Sequence, residues 1–143
     1  MADVGLTHVA LPVTNMEASL AFYATYAQMR VVHRRTAPDG TEVVWLSDQT
    51  RPFVLVLIQA SRVEAPLLPL GHLGIGCATR QEVDALCAQA RSAGCLRQEP
   101  TDSGSPVGYW AFLSDPDGHT LEIAHGQEIG LTVAPADARQ PAG

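Results

Sequence analysis

The 143-residue chain predicts an α+β fold made of two copies of one strand–helix–three-strand unit, and three pairs of matching segments predict it. "WLSD" at 45–48 answers "FLSD" at 112–115, each lying between two apolar stretches. "TNME", from Thr14 to Glu17, answers "TRQE", from Thr79 to Glu82. Both fit the capping box, in which a Thr hydroxyl and a Glu carboxylate reciprocally satisfy orphan amides at a helix start. Each box follows a His-bearing, strand-like run, "LTHVALPV" or "GHLGIGCA". The offsets between partners differ slightly, as small insertions would make them, so the chain reads as a duplicated half.

Each element follows from local pattern. After the first strand, Ala18, Ala21, Phe22 and Tyr26 recur at helical spacing. "RVVHRR", "TEVVWLS" and "PFVLVLIQ" then supply three strand-like runs, with "PDG" as the turn between the first two. In the second half Val83, Leu86, Cys87 and Ala90 form the helical stripe, and Gly94 is placed to cap its C-terminus. The strands "CLRQEP", "GYWAFLS" and "HTLEIAH" follow, the last two joined by a "DPDG" turn. That turn lacks the further ligands of a calcium loop. Module one is expected over about 5–60 and module two over about 70–127, within a single domain 1–130. Residues 131–143 are expected to form a C-terminal tail, because "VAPADARQPAG" has too little apolar periodicity to fold by itself.

Composition narrows the function classes. With 46% apolar and 17% charged residues, and no apolar run near bilayer length, the chain reads as a globular protein with no membrane partner, expected in the cytoplasm. Its net charge of -6, with basic residues scattered, supplies no footprint for nucleic acid. Cys77, Cys87 and Cys95 are odd in number and lack CxxC spacing, so they read as reduced core residues.

The two-residue period of strands locates the chemistry. His72, Gly74 and Gly76 share one face, opposite Leu73, Ile75 and Cys77; His8, Ala10 and Pro12 share another, opposite Val9, Leu11 and Val13. In the last strand Thr120, Glu122 and Ala124 form a sparse face opposite Leu121 and Ile123. A lone His in an apolar strand is ordinarily a hydrogen-bonded core residue. Here three strands each carry an ionisable group among small residues on the face away from the helix. His119 and His125 fall in the opposite phase to Glu122, and His33 sits beside Arg34 and Arg35, so these three read as turn or surface residues. Glu17 and Glu82 read as helix caps.

"LTHVALPVTNMEASLAFY", "GHLGIGCATRQEVDAL" and above all "FLSDPDGHTLEIAHG" resemble the vicinal oxygen chelate superfamily of glyoxalases, bleomycin-resistance proteins, fosfomycin enzymes and extradiol dioxygenases. The resemblance implies two βαβββ modules whose mixed sheets curl into a cup, the glyoxalase/bleomycin resistance/dioxygenase fold. It implies metal ligands at His8, His72 and Glu122, the last also a possible base, holding a divalent ion such as Fe2+, Mn2+, Zn2+ or Ni2+. Two imidazoles and one carboxylate leave open coordination positions that a small-molecule substrate with neighbouring oxygens can fill. Trp45, Leu55, Trp110 and Phe112 are the expected pocket residues. A homodimer is expected, in which halves of two chains complete each cup. Aligning the halves sets Leu55 against Glu122, so the fourth ligand of glyoxalase I and the methylmalonyl-CoA epimerases is missing. Phe112 stands where the dioxygenases carry a tyrosine, and Arg97 is the one evident basic candidate for a phosphonate. Two functions follow: a metal-dependent enzyme of glyoxalase or dioxygenase type, or a metal-free, bleomycin-resistance-like protein whose acidic balance would suit a cationic drug.

Overall fold

The structure, a computed structural model, describes residues 2–133. Its elements run β1 (His8–Val13), α1 (Met16–Ala27), β2 (Arg30–Thr36), β3 (Glu42–Ser47), β4 (Val54–Gln59), β5 (Leu73–Gly76), α2 (Arg80–Ala93), β6 (Leu96–Asp102), β7 (Tyr109–Ser114), β8 (Thr120–His125) and a short α3 (Ile129–Thr132). The two open four-stranded sheets have the orders β1-β4-β3-β2 and β5-β8-β7-β6, the same path drawn twice. The α+β fold and its duplication are therefore as the sequence implied. In the first sheet β1 pairs parallel with β4, while β3 pairs antiparallel with both β4 and β2. A parallel partner needs a crossover, and α1 begins that connection. The part of the expected tail from 134 onward lies outside the described residues. Among the described residues no helix is long and apolar enough to cross a membrane.

The chain divides into two compact units: one built on residues up to Leu73 together with Ser114–Leu121, the other on Gly74–Leu113 together with residues from Glu122 onward. In the first, Leu11, Val13, Phe22, Tyr23, Val44, Leu46, Leu55 and Leu57 are buried, and they come from β1, α1, β3 and β4. The 114–121 segment is anchored into this core. Asp115, 4% exposed, accepts from the Tyr23 hydroxyl at 2.8 Å and from the backbone amides of Asp117 and His119. In the second, Val83, Cys87 and Ala90 line the buried stripe of α2, and Ala111, Leu113 and Ile123 come from the sheet. Burial pushes the Cys87 thiol up to about 11, so it stays a protonated core group.

Two local expectations need correction. The capping box at Thr79 and Glu82 forms, with Gly94 in the left-handed conformation at the far end of α2. At α1 the cap is Asn15, whose side chain accepts from Ala18 N. Thr14 instead turns both its amide and its hydroxyl to Asp117, and Glu17 pairs with Arg34 at 2.6 Å. Two capping residues stand side by side in the sequence, and the one without a tertiary partner takes the helix. The α1 stripe is rotated as well: Met16, Ser19, Phe22, Tyr23, Tyr26 and Ala27 are its buried residues, while Ala21 is exposed.

His119 is a third correction. It is 1% exposed, its Nδ1 accepting from Leu67 N at 3.0 Å and its Nε2 donating to Pro12 O at 2.9 Å. Its place in a turn motif made it look like a surface residue, but both ring nitrogens are consumed by distant backbone. His125 is half-buried, its Nδ1 3.1 Å from Cys77 O, and His33 is exposed with its ring against Trp45.

Candidate functional site

The register of the first sheet assembles one continuous face opposite the buried core. His8, Ala10 and Pro12 sit beside Val54, Val56 and Ile58; Val56 and Ile58 face Trp45 and Val43; and these face His33 and Arg35 on β2. Strand alternation alone produces this set. The face bounds a cavity of about 660 Å³, with His8, Trp45 and Val56 among its lining and Asp3, Arg35 and Arg51 at charged positions. Trp45 is 41% exposed there, which is unusual for so large an apolar ring and marks the face as open. His8 is exposed, with its Nδ1 2.9 Å from the Thr7 hydroxyl.

His72 is exposed just ahead of β5 and its Nδ1 lies 2.8 Å from Pro69 O. A carbonyl only accepts, so Nδ1 carries the proton in this contact. Beyond it, a methyl group added to Gly74 or Gly76 would meet no atom within 4 Å, so the glycine face is open space.

Glu122 sits at the third position of β8, 8% exposed, in a strand whose Thr120, Leu121, Ile123 and Ala124 are buried too. Its Oε1 accepts from Gln127 Nε2 at 2.6 Å. Gln127 was not singled out in the sequence. Its only advance signal is a position just past the strand, after Gly126, whose φ of 82° turns the chain. Among the described residues no group of three or more His, Cys, Asp and Glu side chains gathers as a metal site.

The pocket residues distribute unevenly. Trp45 lines the cavity of the first sheet. Leu55 does not: it is 2% exposed and in phase with the core residue Leu57, while Val54, Val56 and Ile58 take the open face. The connection between β3 and β4 is one residue longer than that between β7 and β8, so counting along the strands sets Val56, not Leu55, against Glu122. The first half still offers no carboxylate at that position. Trp110 is half-buried, its ring 4.8 Å from that of the buried Phe112 and its Nε1 donating to Ser103 Oγ at 2.9 Å.

The sequence profile of the Glyoxalase/Bleomycin resistance protein/Dioxygenase superfamily matches residues 5–123. The chain belongs to this superfamily. Among curated members it is 38% identical over 128 residues to the uncharacterized protein PA2024 of Pseudomonas aeruginosa, covering 87% of this chain and 91% of that one. It is 30% identical over 123 residues to a lactoylglutathione lyase of Neisseria meningitidis, covering 82% and 88%. Three solved structures share its fold. They are a Leishmania major glyoxalase I (TM-score 0.69, 23% identity, 87% and 88% covered), the fosfomycin resistance protein FosX of Listeria monocytogenes as a variant complexed with Mn(II) (0.67, 14%, 92% and 98%), and the antibiotic binding protein TnmS3 of a Streptomyces species (0.63, 21%, 89% and 99%).

Proposed function

We propose that the chain is a divalent-metal-dependent enzyme of glyoxalase or dioxygenase type, acting on a small organic molecule chelated through its oxygens, with His8, His72 and Glu122 as metal ligands. The observation that carries the reading is the burial of Glu122. A carboxylate out of water needs compensating charge as well as hydrogen bonds. Gln127 contributes one hydrogen bond, and a divalent cation would add favourable charge beside the carboxylate's other interactions. The donor set suits such an ion: two imidazoles and one carboxylate. The reading includes a homodimer, in which halves of two chains complete each cup.

When bound, the ion supplies Lewis acidity toward the substrate oxygens. The chain's own residues do the rest. Trp45, Val56 and Ile58 provide an apolar floor that excludes water from the substrate body, and Thr7 holds the His8 ring. Glu122, fixed by Gln127, can hold a proton on a carboxylate oxygen. The FosX–Mn(II) complex supports a metal of this kind, and Fe2+, Mn2+, Zn2+ and Ni2+ all suit the ligands.

A second reading, metal-free binding of a small molecule, is favoured by the cavity, which lies within one unit and needs no metal to form. The likeness to TnmS3 supports it. Glu122→Gln separates the two. Expected is a metal content near one ion per chain in wild type purified without chelator, lost in the variant, with the chelated forms melting within about 5 °C of each other because a buried charge has been removed without stranding Gln127. Equal metal content in both proteins, or none in wild type, moves the assignment to the binding protein.

A further inference from the structure

We propose that the cavity of the first sheet is an oxyanion-binding subsite, in which Arg35 and Arg51 select a substrate with a carboxylate-like head and an apolar body. The inference rests on the reading above only in taking this face as the substrate side. Its warrant is where the arginines go. The chain has 15 acidic against 9 basic residues, so partners for cations are abundant. Among the described residues outside the cavity four are held in ion pairs, though Arg30 is not: Arg34 pairs with Glu17 at 2.6 Å and Glu42 at 2.5 Å, Arg80 with Asp102 at 3.0 Å, Arg91 with Glu99 at 2.6 Å, and Arg62 with Glu64.

Arg35 is the sequence neighbour of Arg34 and points to the opposite face of β2, into the cavity, where among the described residues it enters no ion pair. Arg51 has one hydrogen bond, from Nε to the Thr50 hydroxyl at 3.4 Å. Asp48 feels its charge without forming an ion pair with it, and one oxygen of that carboxylate, Oδ1, accepts from the Thr50 amide and hydroxyl. Asp3 is the one acidic residue of the lining, so the cavity is net cationic in a net anionic protein. A guanidinium fork matches a carboxylate in two hydrogen bonds, and the Trp45, Val43 and Val56 wall beside it suits an apolar body. The acidic balance of the whole chain pointed to a cationic ligand; the local field of this cavity points the other way.

The test uses three probes of one shape: 4-phenylbutyrate, its amide and 4-phenylbutylamine, titrated by calorimetry into the full-length, chelator-treated protein. Expected is a carboxylate affinity about tenfold above the amide, the amine being weakest. Arg35→Gln and Arg51→Gln should each lower carboxylate affinity about three- to tenfold and leave the amide unchanged, while Arg34→Gln on the other face leaves the ranking intact. The inference is overturned if none of the probes binds at millimolar concentration, if the amine matches the carboxylate, or if the preference survives the double Arg35→Gln, Arg51→Gln variant. Metal content measured before chelation judges the metalloenzyme reading separately: carboxylate selectivity in a protein that never held metal keeps the subsite and removes the metal.

Discussion

Glycines show how one residue type carries two meanings that the sequence alone does not separate. Gly108 has φ of 86°, and a methyl group on it would lie 2.4 Å from His125 O and 2.8 Å from Gly126 C. It permits the close approach of the strand leading into β7 to the end of β8. Gly74 has open space instead. Gly108→Ala should therefore cost about 3 kcal/mol or more, from positive φ plus backbone clash, whereas Gly74→Ala should stay within about 0.5 kcal/mol of wild type. Urea unfolding of both variants decides it, and comparable losses would mean that Gly74 also lies against packed atoms. Alternation made the open face at Gly74 readable in advance. Nothing local distinguished Gly108, because its neighbour is brought in by strand pairing.

At the scale of elements, the "DPDG" turn is more than a connector. Asp115, Asp117 and His119 from that turn meet Tyr23, Thr14 and Pro12 from α1 and β1. Burial, and then Asp115, pushes the Tyr23 phenol far above its ordinary range. Unfolded chains ionise tyrosine near pH 10, while folded Tyr23 stays protonated. Its stabilisation is thus whole below about pH 10 and is lost as pH rises beyond it. Tyr23→Phe should cost about 1–2 kcal/mol at pH 7, since Asp115 loses a donor, and the cost should shrink between about pH 10 and 11. Parallel stability curves for the two proteins over that range would refute this account. The helices themselves were legible from caps and stripes, but the choice of Asn15 over Thr14, and of Val56 over Leu55 on the open face, depended on a distant Asp117 and on the length of one loop.

For the whole molecule, the proposed reading includes a homodimer, so a dimer at micromolar concentration is the expected result of light scattering, with mass falling toward the monomer on dilution. A monodisperse monomer that nevertheless retains one metal per chain would contradict the two-copy site. The duplication, the order of elements and the superfamily were determined by sequence, because capping chemistry and the two-residue strand period act over a few residues. Tertiary structure decided what lies far apart in the chain: the burial of His119 by Pro12 and Leu67, the bond between Gln127 and Glu122, and the separation of Arg34, held by two glutamates, from Arg35, which faces an open cavity. Net charge is a sum over the chain, whereas a ligand meets the potential of one face, and only folding assigns each charge to a face.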